Sequence, residues 1–259
     1  MAKPIPQNRQ KRRVRKKKSN SKFPTTMISG WDVSMSSIAG AAVCWDATLK
    51  RWLGPEFILV RWNKDDHYFD RISEAVKSYE LIHALQRQLK MGNCELENVF
   101  IAQEEPWPMG MVGKQQSQTL KQQAEISGAF LGGMLRHGFT NIFQIHNTWW
   151  RKVIADDLGI TTHHSKWKDP KLAERFNCKP NDTGKFRAKQ WALGIKFRSD
   201  MLGFEFQNEI PDWPDLIRTK DGLVPRPESS RAKSGQPDDR YDALAIMKWM
   251  KNEVEKARA

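Results

Sequence analysis

MISGWDVSMSSIAGAAVCWD, residues 27–46, is the stretch from which the fold is read. One apolar run ends on Asp32, the small residues around Ser34 to Ser37 make a turn, and a second apolar run follows. Two such runs joined by so short a connection are neighbouring antiparallel strands. LGPEFILVRW (53–62) extends them into a three-stranded meander. HYFDRISEAVKSYELIHALQRQLKMG (67–92) then repeats its apolar residues at helical spacing and stops at Gly92. NVFIAQEEP (98–106) reads as a buried strand closed by Pro106. SQTLKQQAEISGAFLGGMLRHG (117–138) reads as a helix ended by Gly138, with a small face of Gly128, Ala129, Gly132 and Gly133 suited to close packing on a sheet. NIFQIHNTWW (141–150) is a further strand, and RKVIADDLG (151–159) opens a short helix. KFRAKQWALGIKF (185–197) and the segment from 238 to 259 are the last helices. Strands and helices in this order predict a mixed sheet with helices on its faces, an α/β architecture.

Four carboxylates fall at fixed places in this pattern. Asp32 ends the first strand before small residues that leave room beside it. Glu104 and Glu105 end a buried strand, where acids are costly unless paired or metal-bound. Strand alternation sends only one of that pair to a given face, and which one stays open. Asp239 and Asp242 share a helical face in the first turn of the final helix, where the helix dipole favours negative charge. Asp238 serves as N-cap or as a further ligand. Acids brought together from separate segments hold hard divalent cations, the usual machinery for phosphodiester hydrolysis.

The charge around them is of the opposite sign. The formal net charge is +13, and residues 1–22 hold ten Lys or Arg and no acid. The remaining 33 basic and 30 acidic residues nearly balance, so the N-terminal tail supplies most of the positive field. Residues 1–24 are expected to be disordered, as a nucleic-acid arm that binds through phosphates with Arg12, Arg13, Lys16 and Lys17 among its DNA contacts, the alternatives being a solubilising tail or a localisation signal. One domain is expected over 25–259, with an insertion at about 160–184 and a flexible loop at about 221–237. The basic run lacks the apolar stretch of a signal peptide, and no window reaches a membrane span. Three Cys without paired spacing suit a reducing, intracellular compartment. Cys178 with His146, His163 and His164 has no zinc-ligand spacing, so zinc is not expected.

In order and context the acids resemble the RuvC family of Holliday junction resolvases, within the ribonuclease H-like fold. GWDVSMSSIAG resembles the family's first-strand Asp and small-residue turn, with Ser34 where the family has Gly. FIAQEEPW resembles its Glu strand, where Glu104 aligns best although Glu105 is also present. DDRYDALAI resembles its closing Asp-x-x-Asp-Ala-Leu-Ala helix at Asp239, Asp242, Ala243, Leu244 and Ala245. NIFQIHNTWWRKVI and TGKFRAKQWALG resemble its next strand and its Lys-bearing segments. The likeness covers about residues 26–252, and the basic tail and segment 160–180 have no counterpart. That divergence suits a viral or mobile-element member, acting in the cytoplasm, at the nucleoid or in a host cytoplasm.

The resemblance implies a five-stranded mixed sheet and a Mg2+-dependent endonuclease, with Mn2+ as substitute, that cuts branched DNA as a homodimer. It implies Asp32, Glu104, Asp239 and Asp242 as metal ligands, and products with 5' phosphate and 3' hydroxyl ends. Lys152, Lys185 and Lys189 are candidates for stabilising charge at the scissile phosphate. The apolar helix from Ile126 to Leu135 is a candidate dimer interface, with intramolecular core as the alternative. PWPMGMVG (106–113), with Trp107, Met109 and Met111, is a candidate wedge at the branch point, with core packing or an ordinary loop as the alternative. Other readings of the same residues are a ribonuclease H or transposase-like nuclease, and a DNA-binding protein without catalysis. An actin-like ATPase is disfavoured because LGGMLRHG (131–138) sits inside a helical pattern instead of a phosphate loop.

Overall fold

Alternation along the first strands builds two apolar surfaces at once, and helices close over both. The computed structural model describes residues 24–62, 66–91, 94–106, 114–163, 169–195, 215–219, 222–225 and 239–258. The tail residues Arg12, Arg13, Lys16 and Lys17, Gly92, Asp238, His164 and the loop residues Trp107, Met109 and Met111 lie outside the described residues. Strands β1 (Thr26–Val33), β2 (Ser37–Asp46) and β3 (Arg51–Arg61) form the expected antiparallel meander. Strand β4 (Val99–Glu104) runs parallel to β1 on its other side, and β5 (Asn141–Ile145) runs parallel to β4. The five-stranded mixed sheet predicted from the sequence is therefore present.

The sheet also continues beyond β3. Strand β6 (Asp215–Thr219) pairs parallel with Leu59 and Val60, and β7 (Gly222–Pro225) pairs antiparallel with β6, giving the order β5-β4-β1-β2-β3-β6-β7. Residues 222–225 were expected in a flexible loop. The open edge of β3 offers backbone partners, and the short apolar runs Leu216–Ile217 and Leu223–Val224 accept them against the Pro-rich composition around them.

Two helices occupy the region read as one. Helix α1 (Tyr68–Val76) and helix α2 (Ser78–Gln88) break at Lys77. The cause is helix α3 (Lys114–Arg136), which crosses there. The Ser78 hydroxyl donates to the Phe130 carbonyl at 2.7 Å, and a Cβ on Gly133 would meet the Val76 carbonyl oxygen at 2.1 Å. The small face of α3 thus serves this crossing at Gly133, while Gly128 and Gly132 face open space. Helix α4 (Asn147–Leu158) begins directly after β5, capped by His146, whose ring accepts from the Thr148 amide at 3.2 Å. The strand read through Trp150 therefore ends at Ile145, because this cap turns the chain into a helix. In the expected insertion, helix α5 (Pro170–Arg175) is capped by Asp169 and followed by a 3-10 turn at Pro180–Asp182. Six residues are too few for an apolar period to be visible in the sequence. Helices α6 (Thr183–Ile195) and α7 (Asp239–Arg258) complete the described chain. Among the described residues no helix is long and apolar enough to cross a membrane.

The back face of the sheet carries Met27, Trp31 and Val33 of β1 with Val99 and Ile101 of β4, covered by α1, α2 and α3. Ile126, Phe130 and Met134 of α3 are buried here, so these residues of the candidate dimer face belong to the intramolecular core. The front face carries Ile28 of β1, Ala39 and Ala41 of β2 and Ala102 of β4, covered by α4, α6 and α7. Two glycines allow the layers to approach. A Cβ on Gly40 would lie 2.4 Å from the Trp31 ring, which lies across it. A Cβ on Gly30 would lie 2.1 Å from the Met247 amide nitrogen and 2.4 Å from the Ala243 carbonyl, so α7 lies directly on β1.

Candidate active site

Register places the first two acids. The last paired step of the parallel β1–β4 ladder is Trp31 with Gln103, so Asp32 and Glu104 follow side by side at the strand ends. Trp31 and Gln103 point to the back face, where the Gln103 amide hydrogen-bonds the Ser127 hydroxyl of α3. By alternation Asp32 and Glu104 point to the front, under α7. The same parity separates the two candidates: Glu104 is half-buried on the front face beside Asp32, and Glu105 is exposed just past the strand.

Close contact at Gly30 brings the first turn of α7, with Asp239 and Asp242, over the end of β1. Asp239 is held by a short hydrogen bond from the Ser37 hydroxyl. Ser37 is fully buried, and its place is fixed by the turn before β2, where its amide donates to the Ser34 hydroxyl at 3.1 Å. The Ser34 amide donates to the Ser37 carbonyl at 2.9 Å. The small-residue turn thus does more than leave space.

The four acids form one electrostatic unit. Burial holds the Asp32 carboxyl well above its ordinary range, reinforced by Asp239, Asp242 and Glu104, while Arg151 opposes the shift. Asp242 is pushed up to about 7 by burial, with Glu104 and Asp239 adding to the rise and Arg187 and Arg151 working against it. Glu104 is raised by burial and drawn back by Arg151, by the Trp150 hydrogen bond and by Arg187. Low-dielectric surroundings with several like charges favour the neutral acids unless cations intervene.

Two arginines and a tryptophan complete the site. The Trp150 indole N–H donates to Glu104 Oε2 at 3.1 Å. The guanidinium groups of Arg151 and Arg187 each lie 5.2 Å from the Trp150 ring centre, within cation–π range. Arg187 is only 5% exposed, and its pKa is pulled down to about 10 by burial and by Arg151. The Trp191 indole N–H donates to Asp157 at 2.8 Å, which ties α6 to α4 beside the site.

Sequence reasoning proposed lysines here, and the structure brings arginines. Lys152 is exposed on α4, and the Lys189 ammonium lies 5.3 Å from the Phe186 ring centre, while the side chain of Lys185 lies outside the described residues. One signal for Arg187 was available. It falls on the buried face of α6 with Ala188 and Trp191, and a cation on an apolar stripe needs a nearby acid. Arg151, Trp150 and Ser37 carried no comparable signal.

Among the described residues, no group of three or more His, Cys, Asp and Glu side chains is arranged to hold a metal ion. The donor chemistry nevertheless fits one. Burial raises Asp32, Glu104 and Asp242, Asp239 acts on the two other Asp residues from beside them, and the cations acting on the group are two arginines. A hard divalent cation is what such a set accommodates.

No family model matches the chain, and no curated protein matches it. Solved structures do. RuvC from T. thermophilus in complex with a Holliday junction substrate is similar at 11% identity and a TM-score of 0.47, over 89% of this chain and 96% of that one. The yeast mitochondrial Holliday junction resolvase Ydc2 is similar at 10% identity and a TM-score of 0.35, over 91% of this chain and 85% of that one.

Proposed function

We propose that this chain is a metal-dependent endonuclease that cuts branched DNA. The observation that carries the proposal is the convergence of Asp32, Glu104, Asp239 and Asp242 from two strand ends and one helix start into a single cluster. These four would hold Mg2+, with Mn2+ as substitute. When bound, the ions would activate water and stabilise the leaving oxygen. The chain's own groups do the rest. Ser37 fixes Asp239, and Trp150 orients Glu104. Arg151 and Arg187 offset the negative charge of the cluster and would draw in an incoming phosphate. The basic tail adds sequence-independent affinity for DNA. A homodimer built through α3 would use its other side, where Gly128, Gly132 and Leu135 are exposed.

The test is cleavage of a labelled four-way DNA junction, with duplex and RNA–DNA hybrid controls, in Mg2+ and in EDTA. The expected result is metal-dependent nicking at the junction that Asp239→Asn lowers by about 1000-fold, the scale of losing transition-state charge stabilisation. Cleavage of the hybrid alone would move the assignment to a ribonuclease H. Binding without cleavage of any substrate would leave a DNA-binding protein on this fold.

A further inference from the structure

The first turn of α4 faces two ways. Trp150 and Arg151 turn toward the acids, through the hydrogen bond to Glu104 and the charge felt by Asp32. Trp149 and Lys152, three residues apart and so on one side of the helix, turn outward. Trp149 is 50% exposed, an unusual position for the largest apolar side chain. It is not loose: its ring stacks on Trp249 of α7 at 5.4 Å between centres and 28° between planes. Trp249 is itself half-buried and packed against the front core, so the pair is anchored from below.

We infer that Trp149, seated on Trp249, is a stacking platform for an unpaired nucleobase of the DNA strand that the acid cluster cuts. The inference rests on the nuclease reading and adds to it a specific contact with unpaired DNA. Three observations choose the occupant. An anchored indole that is half exposed suits a planar ring, and base–aromatic stacking is indifferent to sequence. Lys152 beside it and the two arginines at the ring of neighbouring Trp150 favour a polyanion, while the nearby Glu253 is engaged by Lys256 at 2.7 Å. Position also agrees. Trp249 follows Asp242 by seven residues, about 10 Å along a helix. A stacked strand covers that distance in about three nucleotides. The platform therefore holds a base a few nucleotides from the scissile phosphate, where strand exchange at a branch point makes a base easier to unpair and unstack.

The experiment measures binding of the full chain, in EDTA, to labelled oligothymidine, to the same oligonucleotide with abasic sites, and to unbranched duplex. Trp149→Ala is expected to weaken oligothymidine binding by about 10-fold, within the range for one lost stacked base. Trp149→Phe keeps most of the affinity, and duplex binding is unchanged in both variants. Abasic sites weaken the parent by a similar factor and weaken Trp149→Ala no further, because the ring and the base are one interaction. Equal affinity of parent and Trp149→Ala would overturn the inference. So would equal losses on oligothymidine and duplex, or losses from abasic sites and Trp149→Ala that simply add. Cleavage assays separate this from the nuclease reading. A parent that cuts junctions but shows no stacking loss removes only the platform. A parent that shows the loss but cuts nothing removes only the catalysis.

Discussion

The two faces of the central sheet are made by alternate residues of the same strands, yet they are used in opposite ways. On the back, Trp31 and Gln103 are wholly buried. The Trp31 indole N–H donates to Ser29 at 2.9 Å, its ring meets Phe130 at 5.2 Å, and Gln103 bonds Ser127. On the front, one residue later, Asp32 and Glu104 gather with two more acids, and burial raises rather than settles them. The back face gains stability from apolar contact, which is insensitive to pH. The front face holds like charges in a poorly solvated place, which costs stability and creates a demand for cations. A single step along a strand separates packing from chemistry, so mutations at neighbouring positions are expected to have unlike consequences.

The largest effect on stability is expected on the back. Phe130→Ala removes a fully buried ring beneath Trp31 and should lower unfolding free energy by about 4 kcal/mol, the usual cost of such a cavity. In urea melts that loss should be the same at pH 5.5 and pH 8. Activity per folded molecule should be retained. A loss confined to high pH would mean that the back face is coupled to the acids after all.

Trp150→Phe tests the front with a smaller change. It keeps a ring between the arginines and removes the hydrogen bond to Glu104. Stability should fall by about 1 kcal/mol, the net worth of one such bond. Cleavage should fall by about 10-fold, and more Mg2+ should be needed for half-maximal rate. An unchanged Mg2+ requirement would mean that the indole packs without orienting Glu104.

The smallest effect is the most diagnostic. Asp242 is pushed up to about 7 in the fold against an ordinary value of 3.8. Between those values the native state binds more protons than the unfolded chain. Without metal, this group's contribution to stability is therefore present at low pH and lost as pH rises through that window. Asp242→Asn should stabilise the metal-free protein at pH 8 by about 1 kcal/mol, a modest figure because Arg187 and Arg151 offset part of the burial cost and are left without that partner in the variant. It should have little effect at pH 4. Thermal melts in EDTA across this range check the sign, and a variant less stable than the parent at pH 8 would contradict it.

Much of this arrangement was legible in the sequence because apolar alternation and small-residue turns mark strands strongly. The five core strands, α3 and the final helix follow from it, as do the four acids as candidates. Separating Glu104 from Glu105 needed the register with β1, which only pairing supplies. The break at Lys77 was hidden because its apolar period runs on through Ile72, Val76, Leu81 and Leu85, while the cause lies in α3, more than 50 residues away. The hairpin of β6 and β7 was hidden by its composition, since its stability comes from the edge of β3. The arginines were obscured by abundance: in a chain with 43 Lys and Arg, few positions announce a special role.

The bond between Ser37 and Asp239 joins residues 202 positions apart. Closing so long a loop is slow and comes after local structure has formed. On the ribosome, the β1–β2 turn therefore emerges long before its partner exists. A growing chain carries Asp32 and Glu104 but lacks the helix that brings the other two acids. Any cutting activity is thus withheld until synthesis has passed residue 242 and α7 has docked on Gly30. On the nuclease reading proposed above, the order of translation becomes a safety catch.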